Sequence, residues 1–213
     1  MSEQEGLRER KKRRTRETIS EVAIALFLEK GFDQVPVAEV AEKAEVSRRT
    51  LFTYFPKKED LVVHRFADHE TEAGRVVAAR ADGVSPLRAL REHFLDGLRQ
   101  RDPITGLNDR PAILALYRMV GGTPALAARM LQYNANARQA LADALRDTAG
   151  APALTADLAA AQIISVLWTL QNTNGERMRA GERADDRYPR AVEAAEHGFA
   201  LLAGGLAAAG LGE

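Results

Sequence analysis

The chain contains no cysteine. Disulfides, thiol nucleophiles, iron–sulfur clusters and cysteine-based zinc sites are therefore excluded. Aromatic residues are scarce at 6%, and one tryptophan, Trp168, serves all 213 residues. No uninterrupted apolar run approaches the roughly 18–20 residues of a membrane span, so no membrane partner is expected. The polar start lacks a signal-peptide apolar stretch, which makes the cytoplasm the expected location. A charge excess is missing as well, since 30 Lys+Arg balance 30 Asp+Glu. Taken over the whole chain, that neutrality points away from nucleic acid. No GxSxG, P-loop or dinucleotide fingerprint occurs, so no enzyme, catalytic residue or cofactor is expected. His64 and His69 lie five apart and diverge around a helix; Glu193 and His197 share a face without a second pair, so no metal site is expected either. What remains is 46% hydrophobic and 28% charged residues over a length ample for a core.

The neutral charge is unevenly spread. All six lysines fall within the first 58 residues, and Arg8 to Arg16 reads RERKKRRTR, seven basic residues in nine. Such a block stays solvated, which predicts a flexible basic arm over residues 1–14. After it everything reads as helix: strand-like alternation is absent and alanine is abundant. The pattern predicts an all-α chain of nine helices. The first, from about Thr15 to Lys30, carries the stripe Ile19, Val22, Ala23, Leu26, Phe27 and ends at Gly31. Pro36 opens a short helix to about Ala44, Ser47 caps another that stops before Pro56, and a fourth starts at Lys57 or Lys58 and runs toward Arg80. Ser85-Pro86, Asp109, Thr123-Pro124, Thr155 and Pro189 mark the starts of the remaining five. Residues 15–60 are expected to form one domain and 61–213 a second.

Two short helices joined by a tight turn form a helix-turn-helix pattern. On the second helix Leu51 and Phe55 share a face; at about 100° per residue the opposite face centres on Arg49, Thr50 and Thr53, with Arg48 close to the helix start. Arginine forks suit guanine O6/N7 and a threonine methyl suits thymine. Ser47, Tyr54 and Lys58 are placed to meet phosphate, Lys58 at the start of the following helix.

The stretch GFDQVPVAEVAEKAEVSRRTLFTYFPKKEDLV, residues 31–62, resembles the DNA-binding domain of the TetR-like transcriptional regulators. Gly31-Phe32, Val37, Val40-Ala41, Ala44, Val46-Ser47, Thr50-Leu51, Tyr54-Phe55, Lys58-Glu59 and Leu61 stand in the family's spacing. The resemblance implies that Arg48, Arg49, Thr50 and Thr53 read bases and that Ser47, Tyr54 and Lys58 touch phosphate. It also implies an all-helical C-terminal domain that dimerises and binds a small effector. There are departures: Val35-Pro36 replaces the usual capping threonine, Glu45 the usual turn glycine, and Phe52 the commoner tyrosine.

In the body, Tyr117, Met130, Tyr133, Asn134, Trp168, Gln171 and Asn172 are candidates for an effector pocket; the amides equally suit a dimer interface, and the residues leave both open. The last helix has two apolar stripes, more than one core needs. Ile164, Leu167, Gly198, Leu201, Leu202 and Gly205 are therefore candidates for a two-fold interface. The expectation is a homodimeric, ligand-responsive regulator, most simply a repressor, on a pseudo-palindromic double-stranded operator. The alternative is a small-molecule binding or interaction module with a vestigial DNA head.

Overall fold

The computed structural model describes residues 3–206. Among them there is no strand. Ten α-helices follow in order: α1 (Glu3–Lys30), α2 (Val37–Lys43), α3 (Arg48–Tyr54), α4 (Asp60–Glu70), α5 (Glu72–Ala78), α6 (Pro86–Gln100), α7 (Pro111–Gly122), α8 (Pro124–Ala149), α9 (Ala153–Arg179) and α10 (Ala184–Leu206), with a 3₁₀ turn at Pro103–Thr105. The tenth, beyond the nine expected, arises where the fourth breaks at Thr71 (φ −102°, ψ 6°). Past that break Gly74 lies against α8, where a Cβ would come 2.8 Å from the Ala140 carbonyl oxygen.

The chain divides into two compact units, one reaching to Arg65 and including Met119–Met130, the other Phe66–Arg118 and the residues from Leu131 on. In the first, Ile19, Ala23, Phe27, Val40, Leu51, Phe55, Leu61 and Leu126 are fully or almost fully buried. Ser20 Oγ donates to the Leu61 carbonyl at 2.7 Å, joining α1 to α4. Lys30 Nζ pairs with Glu39 at 2.6 Å, joining α1 to α2. Asp60 accepts from Lys57 N (3.1 Å) and from Arg129 Nε (2.7 Å), so α4 starts there rather than at Lys57 or Lys58.

The basic block departs from expectation. α1 continues through it to Glu3 instead of starting near Thr15. Lysine and arginine are good helix formers, Arg13 pairs with Glu17 four residues on, and Thr15 and Thr18 bond back to the carbonyls of Lys11 and Arg14. Residues 10–14 are exposed, and from Arg10 onward the first buried position is Ile19.

In the second unit Leu87, Leu90, Phe94 and Leu98 of α6 pack with Ala159, Ala160 and Ile163 of α9 and Ala191, Ala195, Phe199 and Leu202 of α10. Arg91 forks onto Glu196 at 2.6 and 2.8 Å, fixing α6 to α10. Ser85 caps α6 as expected, accepting from Arg88 N. The last two helices start earlier than their local signals. α9 begins at Ala153 after Pro152, so Thr155 is not its cap. α10 begins at Ala184, whose N–H donates to Asp109 Oδ2 at 3.0 Å, and Pro189 sits inside it.

α9 also corrects the expectation about apolar runs. It carries a window of mean hydropathy 1.5, long and apolar enough to cross a membrane by length and composition alone, and 28% of that window is buried. The scattered polar residues that interrupt each run leave the average high.

Candidate functional site

In the first unit the helix-turn-helix is built from α2 and α3. Pro36 occupies the N-cap position of α2 (φ −74°, ψ 148°) and supplies no side-chain cap. Ser47 caps α3, accepting from Thr50 N at 3.0 Å and meeting the Thr50 hydroxyl at 2.8 Å. The turn between them places Glu45 at φ +54°, left-handed backbone that costs a non-glycine residue about 1–2 kcal/mol. Leu51 and Phe55 are buried, and Arg48, Arg49, Phe52 and Thr53 are exposed. Neither the Arg48 nor the Arg49 side chain has an ion pair or hydrogen bond with the described residues, so both guanidinium forks face solvent.

Several expected contacts are already engaged within the unit. Lys58 Nζ donates to the Phe32 carbonyl at 2.5 Å and lies over the rings of Phe32 (4.6 Å) and Phe27 (5.4 Å). Thr50 and Tyr54 are half-buried, and Thr53 bonds back to the Arg49 carbonyl at 2.8 Å. Phe52, three residues after Arg49, shares its face and is 48% exposed. The sequence noted Phe52 only for its missing hydroxyl, yet an exposed ring there suits a thymine methyl.

The second unit encloses a cavity of about 140 Å³. Of the pocket candidates, Tyr133, Asn134, Trp168 and Gln171 line it together. The other three do not. The Tyr117 hydroxyl donates to the Pro103 carbonyl, Met130 is a buried residue of the first unit, and Asn172 is exposed. Burial raises the Tyr117 phenol above its ordinary range.

The lining also includes His69, Glu72, His93, Asp96 and Asp102, all outside the candidate set. His69 Nδ1 meets Glu72 Oε2 at 2.8 Å and His93 Nε2 meets Glu72 Oε1 at 3.2 Å. Burial pushes the Glu72 carboxyl up, but the two imidazole hydrogen bonds outweigh it and draw the group down to about 2. The Glu72 hydrogen bond holds His93 above its ordinary value against partial burial. Among the described residues no set of three or more side chains is disposed to hold a metal ion. The turn at Asp102–Gly106 is pressed onto α9: Gly106 has φ +75°, a Cβ there would stand 2.0 Å from the Gln171 carbonyl oxygen, and Asn174 donates to the Thr105 carbonyl at 3.1 Å.

The description "Bacterial regulatory proteins, tetR family" matches residues 19–64, which span the second half of α1 through α2 and α3 into α4. The head is a TetR-family DNA-binding domain. Relatives agree. The regulator TcmR of Streptomyces glaucescens is 34% identical over 128 residues, covering 60% of this chain and 57% of its own. The putative mycofactocin biosynthesis regulator MftR of Mycobacterium tuberculosis is 40% identical over 60 residues, 28% of this chain and 30% of its own. The chain thus spans just over half, or less, of these curated relatives. Among solved structures, NalD, described as the secondary repressor of a multidrug efflux pump in Pseudomonas aeruginosa, superposes with a TM-score of 0.52 at 16% identity, covering 89% of this chain and 97% of its own. A TetR regulator from Rhodococcus sp. RHA1 does so at 0.52 and 23%, covering 89% and 95%. These two share the all-helical fold.

In this head α3 is the second helix of the helix-turn-helix, with Arg48, Arg49, Phe52 and Thr53 on its open face. The dimer candidates separate. Leu202 is a core residue at 4% exposure, Gly198 is buried against Val166 and Leu170, and Leu167 lines the cavity. Ile164 is half-buried, whereas Gly205 is exposed and Leu201 is 65% exposed. Leu154 and Leu158 on α9 are 72% and 55% exposed. Both are exposed apolar residues outside the candidate set.

Proposed function

We propose that the protein is a homodimeric, ligand-responsive transcriptional repressor that reads a pseudo-palindromic operator. The observation that carries this reading is the pair Arg48 and Arg49 at the exposed start of α3, held on a capped helix and without internal partners. Each fork fits the O6/N7 edge of guanine in the major groove, and the N-terminal residues of a recognition helix are the ones that reach base edges. Two heads related by a two-fold read two half-sites one helical turn apart.

Pairing is supported by Leu154, Leu158 and Leu201, large apolar side chains left to water on α9 and α10. A second copy covers them with its own equivalents, as a self-complementary patch requires. The response to ligand is assigned to the cavity of the second unit. An occupant acts only by binding the two head spacings with different affinity. α4, which leads along the chain from one unit into the next, is the element expected to carry the change. Repression is also the role of NalD, which shares this fold.

Selection of genomic fragments on the purified protein tests the reading. The expected result is a pseudo-palindrome retained by a dimer, with dimeric mass at micromolar concentration. Failure to enrich any sequence removes the regulator reading and favours a vestigial head; a monomeric mass removes the pairing.

A further inference from the structure

The wall of the second unit's cavity has an uneven charge. Its lining includes Glu72, Asp96 and Asp102 and neither a lysine nor an arginine. Asp96 is paired with Arg99 and accepts from Gln100, and the cationic groups within the lining itself are the imidazoles of His69 and His93, both turned onto Glu72. With Asp96 balanced by Arg99, the ionised Glu72 and Asp102 leave the wall a net charge of 0 when both imidazoles are protonated and −2 when both are neutral. The remaining lining includes the rings of Phe94, Tyr133 and Trp168, together with Leu90, Ile164 and Leu167. The side chains of Asn134, Gln171 and Trp168 make no hydrogen bond with the described residues. Aromatic faces beside carboxylates attract a cation, and they are poor hosts for an anion.

We propose that the cavity takes an organic cation, a protonated amine or quaternary ammonium on an aromatic or apolar body, whose charged end displaces an imidazolium proton beside Glu72. The proposal rests on the assignment of this cavity as the effector site. Glu72 lies between the imidazoles, which serve as removable counter-charges. His93 is 48% exposed at its side chain, so a proton leaving it reaches water directly. The groups facing His93 are Glu72 from α5, Asp96 from its own helix and Asp102 from the following turn. His69 from α4 sits across Glu72, and α8 and α9 contribute only uncharged lining side chains. Nothing in that set opposes the sign. A cation that replaces a proton binds more tightly as pH rises; an anion would bind more tightly as pH falls.

Trp168 is the only tryptophan and lies in the wall, so its emission reports occupancy. The full chain is titrated with benzyltrimethylammonium, its uncharged isostere neopentylbenzene, and phenylacetate. The expected result is that the cation binds at least about tenfold more tightly than the isostere and more tightly than the anion. Its affinity should rise several-fold between about pH 6 and about pH 8, approaching tenfold per unit where one proton is released. Glu72→Gln should abolish both the charge preference and the pH dependence, and Asp102→Asn should weaken the preference. Should either variant fail to fold, the wild-type comparison decides alone. Equal or tighter binding of the isostere or the anion overturns the cationic assignment while leaving the cavity an effector site. Silence of Trp168 toward all three probes overturns both.

Discussion

Lys58 turns its ammonium into the head, donating to the Phe32 carbonyl at 2.5 Å from a position above the Phe32 ring. A lysine two residues before α4 thereby closes the turn that follows α1. The resemblance to the family had given it a phosphate contact, and the two roles are separable. Lys58→Met keeps the stem and removes the charge. It should lower the stability of the head by about 1–2 kcal/mol, since the charged hydrogen bond and the cation over the ring both disappear. The effect is read as a fall in thermal midpoint. An unchanged midpoint with the salt slope of DNA binding reduced by about one would return Lys58 to the phosphate.

The Arg49 side chain is exposed and unpaired on the open face of α3. Arg49→Ala should cost about 1–3 kcal/mol on the selected operator and relax preference at one base pair per half-site. A quantitative gel shift on operator and scrambled duplexes measures both; equal operator affinity would take Arg49 out of base readout.

From Arg10 onward α1 has no buried position before Ile19, and the core of the head begins there. Deletion of residues 1–14 should leave the thermal midpoint of the head nearly unchanged. It should weaken binding to all sequences and flatten the dependence of log K on log salt, by about 0.9 for each phosphate no longer neutralised. A slope that stays the same would show that these side chains do not meet DNA.

Stability should also depend on pH at both ends through the Glu72 cluster. Glu72 is drawn to about 2 from an ordinary 4.5. Its contribution is therefore complete above 4.5 and is lost as pH falls from there. His93 is raised above 6.5. Its contribution is complete below 6.5 and is lost as pH rises through the raised value. Urea midpoints should therefore peak between these limits, and Glu72→Gln should flatten both flanks. A wild-type profile that Glu72→Gln leaves unchanged would remove the cluster from the stability of the fold.

Much of the head was readable in the residues because its determinants are local. The stripe from Ile19 to Phe27, the cap of Ser47 on Thr50 and the buried pair Leu51 and Phe55 each join residues at most eight apart. Gly31 ends α1 at φ +91°, and Glu45 takes the left-handed turn position that its place in the motif demanded. The body was readable as helices but not as a site. Tyr133, Asn134, Trp168 and Gln171, picked out by type and spacing, line the cavity. His69, Glu72 and His93 were not picked out, because a search for metal spacing on one helix discards histidines that meet across three.

The zero net charge shows the same division. The residues alone determined an all-helical chain, a TetR-like head and the face of α3 that looks outward, since periodicity, caps and turn residues act over one or two helical turns. Only the tertiary structure decided that Lys58 serves the core, that Asp109 caps α10 from 75 residues away, and that a carboxylate stands between two imidazoles in a wall without lysine or arginine. Those outcomes depend on which helices pack together, and burial then sets the strength of each charge that a composition can only count.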